Sequence, residues 1–259
     1  RSNQPYTLNG CTLIFNGEIY NYLELKENLR MQGVACTTTS DTEVLLRYYL
    51  IYGEDCVSHF EGMWSFAIYD NQHKKLFLSR DRFAEKPLFY YKTEDGFYFG
   101  SEIKFIKSLS GKSLTINQKH LLRYLVQGYK SLYKVDETFF KEISEIKYAT
   151  NLVVNPDLEI RSYRYWEPTS EIDEKMSLDD AVEGARQHLL ESVKLRLRSD
   201  VPLAFCLSGG VDSASIVSIA ANIFNYDVSV FSIIDSDERY NEQDNIQATI
   251  NHINCKNTL

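Results

Sequence analysis

The segment VPLAFCLSGGVDSASIVSIA, residues 201–220, determines how the second half of the chain is expected to fold. An apolar run leads into two glycines, and a segment with helical character follows them. A buried strand that turns directly into a helix is the building unit of a parallel α/β sheet. VSVFSII at 228–234 and NEQDNIQATINHI at 241–253 predict a second buried strand and a second helix. This order predicts the start of a doubly wound sheet.

The turn SGGVDS within this segment has the residues of a phosphate site. Gly209 and Gly210 let consecutive backbone N–H groups point into one concavity at a helix N-terminus, which attracts anions. The Ser208 and Ser213 hydroxyls add donors, and Asp212 can hold Mg²⁺ against phosphates. A Gly-Gly pair alone also suits a turn that needs glycine only for steric reasons, but the complete pattern favours a phosphate site. Its spacing matches neither the P-loop nor the dinucleotide-binding glycine motif.

A long amphipathic helix is predicted in front of the first strand of the second half. Its apolar residues recur every three or four positions, so they share one face that we expect to be buried. They are Leu178, Val182, Ala185, Leu189, Val193 and Leu197. Before this helix, the polar stretch EPTSEIDEK at 167–175 indicates a linker. We therefore expect one domain at residues 1–168 and another at residues 176–259.

The first half is rich in strand-forming residues and predicts an α+β sandwich. Two β-hairpins are expected, one from MWSFAIYD and LFLSR and one from KPLFYY and FYFGS, each around a polar turn. A helix is expected where Ser40 or Asp41 caps TEVLLRYYLIYG and Gly53 ends it. A second helix is expected at residues 117–128, and short strands around the Asn-Pro-Asp turn at 155–157.

Composition narrows the classes of function. The net charge of −8 argues against a broad nucleic-acid groove, and no apolar run reaches the roughly 20 residues that span a bilayer. The five cysteines are scattered, with no CxxC pair and no Cys/His cluster. Zinc and a disulfide framework are therefore not expected, and a reducing cytoplasm fits this cysteine usage.

The segment FNGEIYNY at 15–22 holds an Asn-Gly pair at the end of an apolar strand. A bare Asn-Gly pair is most often a plain hairpin turn. Here, however, EIYNYLELKENL predicts a helix instead of a returning strand. TSDTE at 39–43 also places a carboxylate at a helix start, and RDRFAEKP follows at 80–87. These neighbours favour a functional site over a simple turn.

FNGEIYNY, SDTE, RDRFAEKP and SGGVDS come in the order found in glutamine-hydrolysing asparagine synthetases, and the chain resembles that family over nearly its whole length. The resemblance implies that residues 1–168 are a glutaminase domain of the N-terminal-nucleophile (Ntn) sandwich type that lacks its N-terminus. It also implies that residues 176–259 are the truncated start of an α/β doubly wound ATP pyrophosphatase domain.

The resemblance assigns the candidate site residues. Asn16 and Gly17 would form the catalytic oxyanion hole, and with Glu18 and Asp41 they would bind glutamine. Asp212 would also be the metal ligand. The ATP site would consist of Leu207, Ser208, Gly209, Gly210, Asp212, Ser213 and Ile233, with ERYNE at 238–242 as a further family-like stretch.

The implied reaction uses ATP and Mg²⁺ to convert aspartate to β-aspartyl-AMP. Ammonia released from glutamine then travels through a channel and displaces AMP to give asparagine. The implied partners are these small molecules and a second copy of the chain in a homodimer, without nucleic acid or membrane.

Two departures from the family pattern stand out. Ala84 occupies a position where the family usually has glycine, so a positive φ there would strain the loop. The family's nucleophile, a cysteine at the mature N-terminus with its own α-amine as base, is not in this chain, and Cys11 lies inside a predicted strand. We therefore expect an internal piece of a longer protein that is inactive alone in both half-reactions.

Two alternatives remain open. A β-lactam-forming synthetase would keep the fold, adenylate another carboxylate and lack a working glutaminase. A non-catalytic scaffold would keep both sites only as relics. The intact FNGEIYNY and SDTE segments favour amide transfer.

Overall fold

The computed structural model describes residues 3–234, 237, 241–253 and 255–258. The chain forms two compact units, Arg1–Ser170 and Glu171–Leu259. No described helix is long and apolar enough to cross a membrane.

The first unit contains strands, α-helices and two 3-10 helices at Gly53–His59 and Tyr129–Lys134. The strands are β1 Tyr6–Leu8, β2 Cys11–Ile19, β3 Gly62–Asp70, β4 Lys75–Arg80, β5 Phe89–Lys92, β6 Phe97–Gly100, β7 Ser144–Glu145, β8 Thr150–Val154 and β9 Ile160–Arg164. The helices are α1 Tyr22–Met31, α2 Asp41–Tyr52, α3 Ile103–Ser110 and α4 Gln118–Gln127.

Two antiparallel sheets form a sandwich in this unit. The larger sheet has the strand order β1-β2-β3-β4-β8-β9, and the smaller has the order β6-β5-β7. One face of the larger sheet, with Leu13 and Phe66, packs against α1 and α2. Alternate strand residues point to opposite faces, so the other face, with Ala67 and Leu78, packs on Leu88 and the smaller sheet. The predicted α+β sandwich is confirmed.

The predicted helix ends are confirmed in the first unit. The hydroxyl of Ser40 accepts a hydrogen bond from the backbone nitrogen of Thr42 at 3.2 Å and so caps α2, and Gly53 ends it with φ +59°. Asn117 caps α4 by accepting from the backbone nitrogen of His120 at 3.2 Å.

The helix predicted from Glu18 onward was placed too early. Strand β2 continues through the Asn-Gly pair to Ile19, and α1 begins at Tyr22. The strand continues because β3 pairs with it over its whole length, so that Gly17 faces Trp64 and Ile19 faces Gly62. The Asn-Gly pair is therefore part of a strand, not a turn.

The second unit alternates strands and helices as predicted. The elements are α5 Leu178–Arg196, β10 Ala204–Cys206, α6 Val211–Ser218, β11 Ser229–Phe231, α7 Gln243–Ile253 and β12 Lys256–Thr258. The three described strands are parallel, in the order β10-β11-β12. Ile219–Ile223 forms a π-helical turn directly after α6.

Three burial predictions for the second unit were wrong. Strands β10 and β11 are shorter than residues 201–207 and 228–234, and Ala204, Cys206 and Phe231 are exposed. Cys206 and Phe231 are register partners, so this face of the described sheet is not covered. Helix α5 was expected to bury a whole face, but Leu178 and Val182 are exposed. Only the C-terminal end of α5, with Val193, reaches the core of this unit.

Candidate glutamine and nucleotide sites

The backbone of β2 directs three N–H groups to its outer edge, beyond the end of β1. In an antiparallel ladder the N–H groups of successive residues point to opposite sides of the strand. The nitrogen of Phe15 donates to Oε1 of Gln4 at 2.6 Å, and that of Ile19 donates to Oδ2 of Asp41 at 3.0 Å. Gly17 lies between them, so its N–H points to the same edge, in the gap between the two side chains.

Gly17 also needs to be glycine. Its φ is +153°, and a Cβ there would overlap the carbonyl oxygen of Met63 and lie 2.7 Å from Cα of Trp64. The nitrogen of Trp64 donates to Oδ2 of Asp81 at 3.2 Å, and its carbonyl accepts from the nitrogen of Asp81 at 2.9 Å. Trp64 thus turns its polar backbone groups away from β2, which is consistent with the outward direction of the Gly17 N–H.

Asp41 is brought to this edge by the start of α2. It is the first residue of the helix, and its Oδ1 accepts from the hydroxyl of Ser40 at 3.3 Å. The structure therefore brings Asp41 next to the end of the strand that carries Asn16, Gly17 and Glu18. These are the four residues assigned to glutamine, and Glu18 is half-buried in β2 opposite Met63.

Glu43 holds the loop in front of α2. Its fully buried carboxylate accepts hydrogen bonds from the backbone nitrogens of Thr37 at 2.9 Å and Thr38 at 2.5 Å, and from Nε of Arg47 at 2.7 Å. Burial alone would raise the pKa of Glu43, but these hydrogen bonds outweigh it and lower the pKa to about 2. The loop that delivers Asp41 is therefore fixed by a buried charge.

Asn16 lies on the face of β2 that meets the smaller sheet. Its side chain is exposed, and its Nδ2 donates to Oγ of Ser101 at 3.1 Å. Asn16, Ser101 and Ser65 line a cavity of about 150 Å³, together with Phe99 and Leu88. The amide therefore borders a small space with polar and apolar walls.

The RDRFAEKP segment forms a loop built around two buried side chains. The carboxylate of Asp81 accepts from the backbone nitrogens of Phe83, Glu85 and Lys86 at 2.9–3.0 Å. The guanidinium of Arg80 donates to the carbonyls of Ala84 and Lys86. Ala84 has φ +55°, so the residue that replaces the family's glycine does adopt the strained left-handed conformation. The loop borders a larger cavity of about 1020 Å³ in the first unit.

In the second unit, the SGGVDS turn closes on itself. The nitrogen of Ser208 donates to Oγ of Ser213 at 3.2 Å, and this hydroxyl donates to the carbonyl of Gly210 at 3.1 Å. Gly210 is the residue before α6, so the turn lies at that helix's N-terminus. Leu207 is buried and donates its N–H to the carbonyl of Phe231 at 2.9 Å, which ties the turn to the end of β11.

Gly209 packs against the chain that precedes α7. Its φ is +80°, and a Cβ there would lie 2.8 Å from Cβ of Glu242. Glu242 is the last residue of the ERYNE stretch, whose residues 238–240 lie outside the described part of the chain. Ile233, two residues after β11, is 96% exposed.

Asp212 is exposed in the first turn of α6. Among the described residues no group of three or more His, Cys, Asp or Glu side chains could hold a metal ion. Protein-bound Mg²⁺ commonly takes one or two carboxylates and completes its shell with phosphates and water. A single carboxylate at Asp212, beside the SGGVDS turn, fits that pattern.

Several residues that hold Asn16, Asp41 and the edge of β2 in place could not be identified from the sequence. Ser101 lies 85 residues from Asn16 in the chain. The side-chain amide of Gln4 accepts from the nitrogen of Phe15 and donates to its carbonyl, as the backbone of a paired strand would. Ser101 was predicted only as the last residue of the FYFGS hairpin segment, and Gln4 belongs to no predicted element. Glu43 was noted only as a residue of TSDTE and of the predicted helix TEVLLRYYLIYG.

Two family models match this chain, one in each unit. Residues 1–166 match the glutamine amidotransferase domain family, and residues 184–259 match the asparagine synthase family. Bacillus subtilis asparagine synthetase [glutamine-hydrolyzing] 3 is 39% identical over 213 residues, which are 82% of this chain and 34% of that protein. Asparagine synthetase [glutamine-hydrolyzing] 1 of the same organism is 34% identical over 247 residues, 95% of this chain and 38% of that protein.

A protein of Methanocaldococcus jannaschii, named for the same activity, is 39% identical over 213 residues, 80% of this chain and 39% of its own length. The chain thus spans less than two fifths of the length of these relatives. The match to the amidotransferase domain covers well over half of the chain. It contains Asp41 and Gly17, whose N–H lies at the outer edge of β2. The chain belongs to the glutamine amidotransferase domain family, and glutamine-hydrolysing asparagine synthetases are among its relatives.

Proposed function

We propose that the complete protein makes asparagine from aspartate, with glutamine as the nitrogen donor and ATP·Mg²⁺ as the energy source. The observation that carries this proposal is the edge of β2, where the Gly17 N–H lies between Gln4 and the Asp41 carboxylate. A backbone donor at the outer edge of a strand, beside a carboxylate, suits a substrate that has both an amide carbonyl and an ammonium group, as glutamine does. The names of the relatives support the same reaction.

In the glutaminase half, the thiolate of an N-terminal cysteine outside this chain would attack the side-chain carbonyl of glutamine. The carbonyl oxygen becomes an oxyanion, which the Gly17 N–H and the Asn16 amide would stabilise. Asp41 would receive the α-ammonium group of glutamine, and Glu18 would line the same site. Ammonia leaves as the thioester forms, and water then releases glutamate.

In the synthetase half, an ATP pyrophosphatase domain would begin with the second unit. The SGGVDS turn, with Leu207, Ser208, Gly209, Gly210 and Ser213, would bind the β- and γ-phosphates through backbone N–H groups and hydroxyls. Ile233 would lie beside the adenine. Asp212 would hold Mg²⁺, which neutralises phosphate charge when bound. A carboxylate oxygen of aspartate would attack the α-phosphorus and release pyrophosphate, and ammonia would then displace AMP.

The compartment we propose is the cytoplasm. All five cysteines are unpaired, which suits a reducing environment. A homodimer is the assembly we propose, and light scattering on the complete protein tests it.

The test uses the complete protein with ATP, Mg²⁺ and aspartate, and with either glutamine or ammonium chloride as the nitrogen source. We expect asparagine, AMP and pyrophosphate in equal amounts with both donors, and one glutamate per asparagine with glutamine. Asn16→Ala should lower the glutamine-dependent rate by roughly 100-fold and leave the ammonia-dependent rate unchanged.

Two results would overturn this proposal. Pyrophosphate release with another carboxylate but not with aspartate would favour the β-lactam-type synthetase. No pyrophosphate release with any carboxylate, from a protein that is folded by circular dichroism, would favour the scaffold.

A further inference from the structure

The amide of Asn16 is held by a residue from the other sheet. Strand β6 ends at Gly100 and α3 begins at Ile103, so Ser101 sits in a two-residue connection between a strand and a helix. Its Oγ accepts a hydrogen bond from Nδ2 of Asn16 at 3.1 Å. This contact joins the smaller sheet to the larger one at the residue proposed to stabilise the oxyanion.

Ser65 extends the contact to a third residue. Ser65 and Asn16 are register partners across β3 and β2, so their side chains lie on the same face of the sheet. The hydroxyls of Ser65 and Ser101 lie 3.5 Å apart, and Ser65 is buried. Ser101 can therefore accept from Asn16 and direct its own hydroxyl proton to Ser65. The three side chains line the same cavity of about 150 Å³.

We propose that Ser101 is a positioning residue that orients the Asn16 amide for oxyanion stabilisation. This inference rests on the proposed role of Asn16. A side-chain amide is planar and has two N–H donors. When one N–H is bound to Ser101, the plane of the amide is set, and the direction of the second N–H is set with it. Catalysis by an oxyanion hole depends on donors that are already oriented before the charge develops.

The proposal makes a specific kinetic statement. An orienting contact acts on the transition state, so its loss lowers kcat and leaves KM for glutamine nearly unchanged. One neutral hydrogen bond corresponds to a change of roughly 10-fold, which is smaller than the 100-fold or more expected on removal of the donor itself. Because Ser101 acts only through Asn16, its removal should have no effect once Asn16 is gone.

The kinetic test compares Ser101→Ala, Ser101→Thr and Asn16→Ala with the double variant Asn16→Ala/Ser101→Ala in the complete protein. We expect Ser101→Ala to lower the kcat for glutamine hydrolysis about 10-fold and Ser101→Thr, which keeps the hydroxyl, to restore most of it. The double variant should match Asn16→Ala alone, and ammonia-dependent synthesis should be unchanged. A further loss in the double variant, or an equal loss with ammonia, would overturn the proposal.

A second measurement does not depend on activity. In the ¹⁵N-labelled 259-residue chain, the side-chain NH₂ resonances of Asn16 can be assigned with Asn16→Asp. We expect Ser101→Ala to move one of these two proton resonances and Ser101→Thr to leave both near their wild-type positions. Unmoved resonances in Ser101→Ala would overturn the contact itself. A wild-type protein without glutaminase activity would overturn the role of Asn16 while this spectrum still decides whether Ser101 orients the amide.

Discussion

The Oδ2 atom of Asp41 accepts a hydrogen bond from the backbone nitrogen of Ile19 at 3.0 Å. This bond joins the first residue of α2 to the last residue of β2, although the two are 22 positions apart. Asn16 and Gly17 lie directly upstream on the same strand. This backbone contact ties the carboxylate to the strand that carries the proposed oxyanion donors, and the first prediction concerns this carboxylate.

Asp41→Asn should weaken glutamine binding in the complete protein. The asparagine keeps an oxygen that can accept from Ile19, so the local fold is preserved, but it loses the charge that would pair with the α-ammonium group. Hydrogen bonds to charged groups contribute roughly 1.5–3 kcal/mol, so KM for glutamine should rise about 10- to 100-fold. Steady-state kinetics with glutamine and with ammonia measure this. Asp157→Asn, in an exposed turn, is the matched control and should behave as wild type.

Glu43→Gln should destabilise the chain and change its response to acid. The pKa of Glu43 falls from its ordinary value of 4.5 to about 2. A lowered pKa means that the carboxylate stabilises the fold fully above about pH 4.5 and that this contribution disappears as the pH falls toward 2. The shift corresponds to about 3 kcal/mol in the free energy of unfolding.

Urea unfolding of the 259-residue chain at several pH values checks this. The difference between wild type and Glu43→Gln should be largest near neutral pH and should shrink below about pH 4.5. Glu27→Gln is the control, because Glu27 is exposed and pairs with Arg30 on the same helix, where a surface ion pair contributes little to stability. A constant difference at every pH would show that the hydrogen-bonded charge is not the cause.

The sequence predicted the features that depend on near neighbours in the chain. Ser40 caps the start of α2 and Gly53, with its positive φ, ends the helix. Both were predictable because helix capping and termination depend on only a few neighbouring residues. The order of the motifs was enough to place Asn16 and Asp41 in one domain. The helix after Asn16 was placed too early because the pairing of Glu18 and Ile19 with β3 depends on residues more than 40 positions away.

Burial in the second unit could not be predicted for a similar reason. The apolar sequence around Ala204 and Cys206 is typical of a strand buried on both faces, but whether a face is buried depends on which elements from elsewhere in the chain pack on it. Ser101 escaped prediction because a single serine after a hairpin carries no local pattern. Its contact with Asn16 exists only because the two sheets stack.

Gly209 and Gly210 should respond differently to alanine. Gly209 has φ +80° and faces Glu242, so a Cβ there is both strained and crowded. Gly210 has an extended backbone, and among the described residues a Cβ there would meet only Oγ of Ser208, at 3.5 Å. Gly209→Ala should destabilise the chain by about 1–3 kcal/mol and lower ATP–pyrophosphate exchange by the complete protein at least 10-fold. Gly210→Ala should cost less than about 1 kcal/mol. Equal losses for both variants would contradict a conformational role for Gly209.

Ala84→Gly should make the chain more stable. Ala84 has φ +55°, where a Cβ costs about 1 kcal/mol, and the hydrogen bonds from Arg80 and to Asp81 hold the loop in this shape in any case. Glycine removes the strain, although it also gives the unfolded chain more freedom, so we expect a net gain of up to about 0.6 kcal/mol in the free energy of unfolding. Urea unfolding measures it.

Ala67→Gly is the control. Ala67 is a buried strand residue that does not have a positive φ, so the loss of its methyl group should destabilise the chain. A loss of stability in Ala84→Gly as large as that in Ala67→Gly would mean that the loop's hydrogen bonds do not hold Ala84 in a strained conformation.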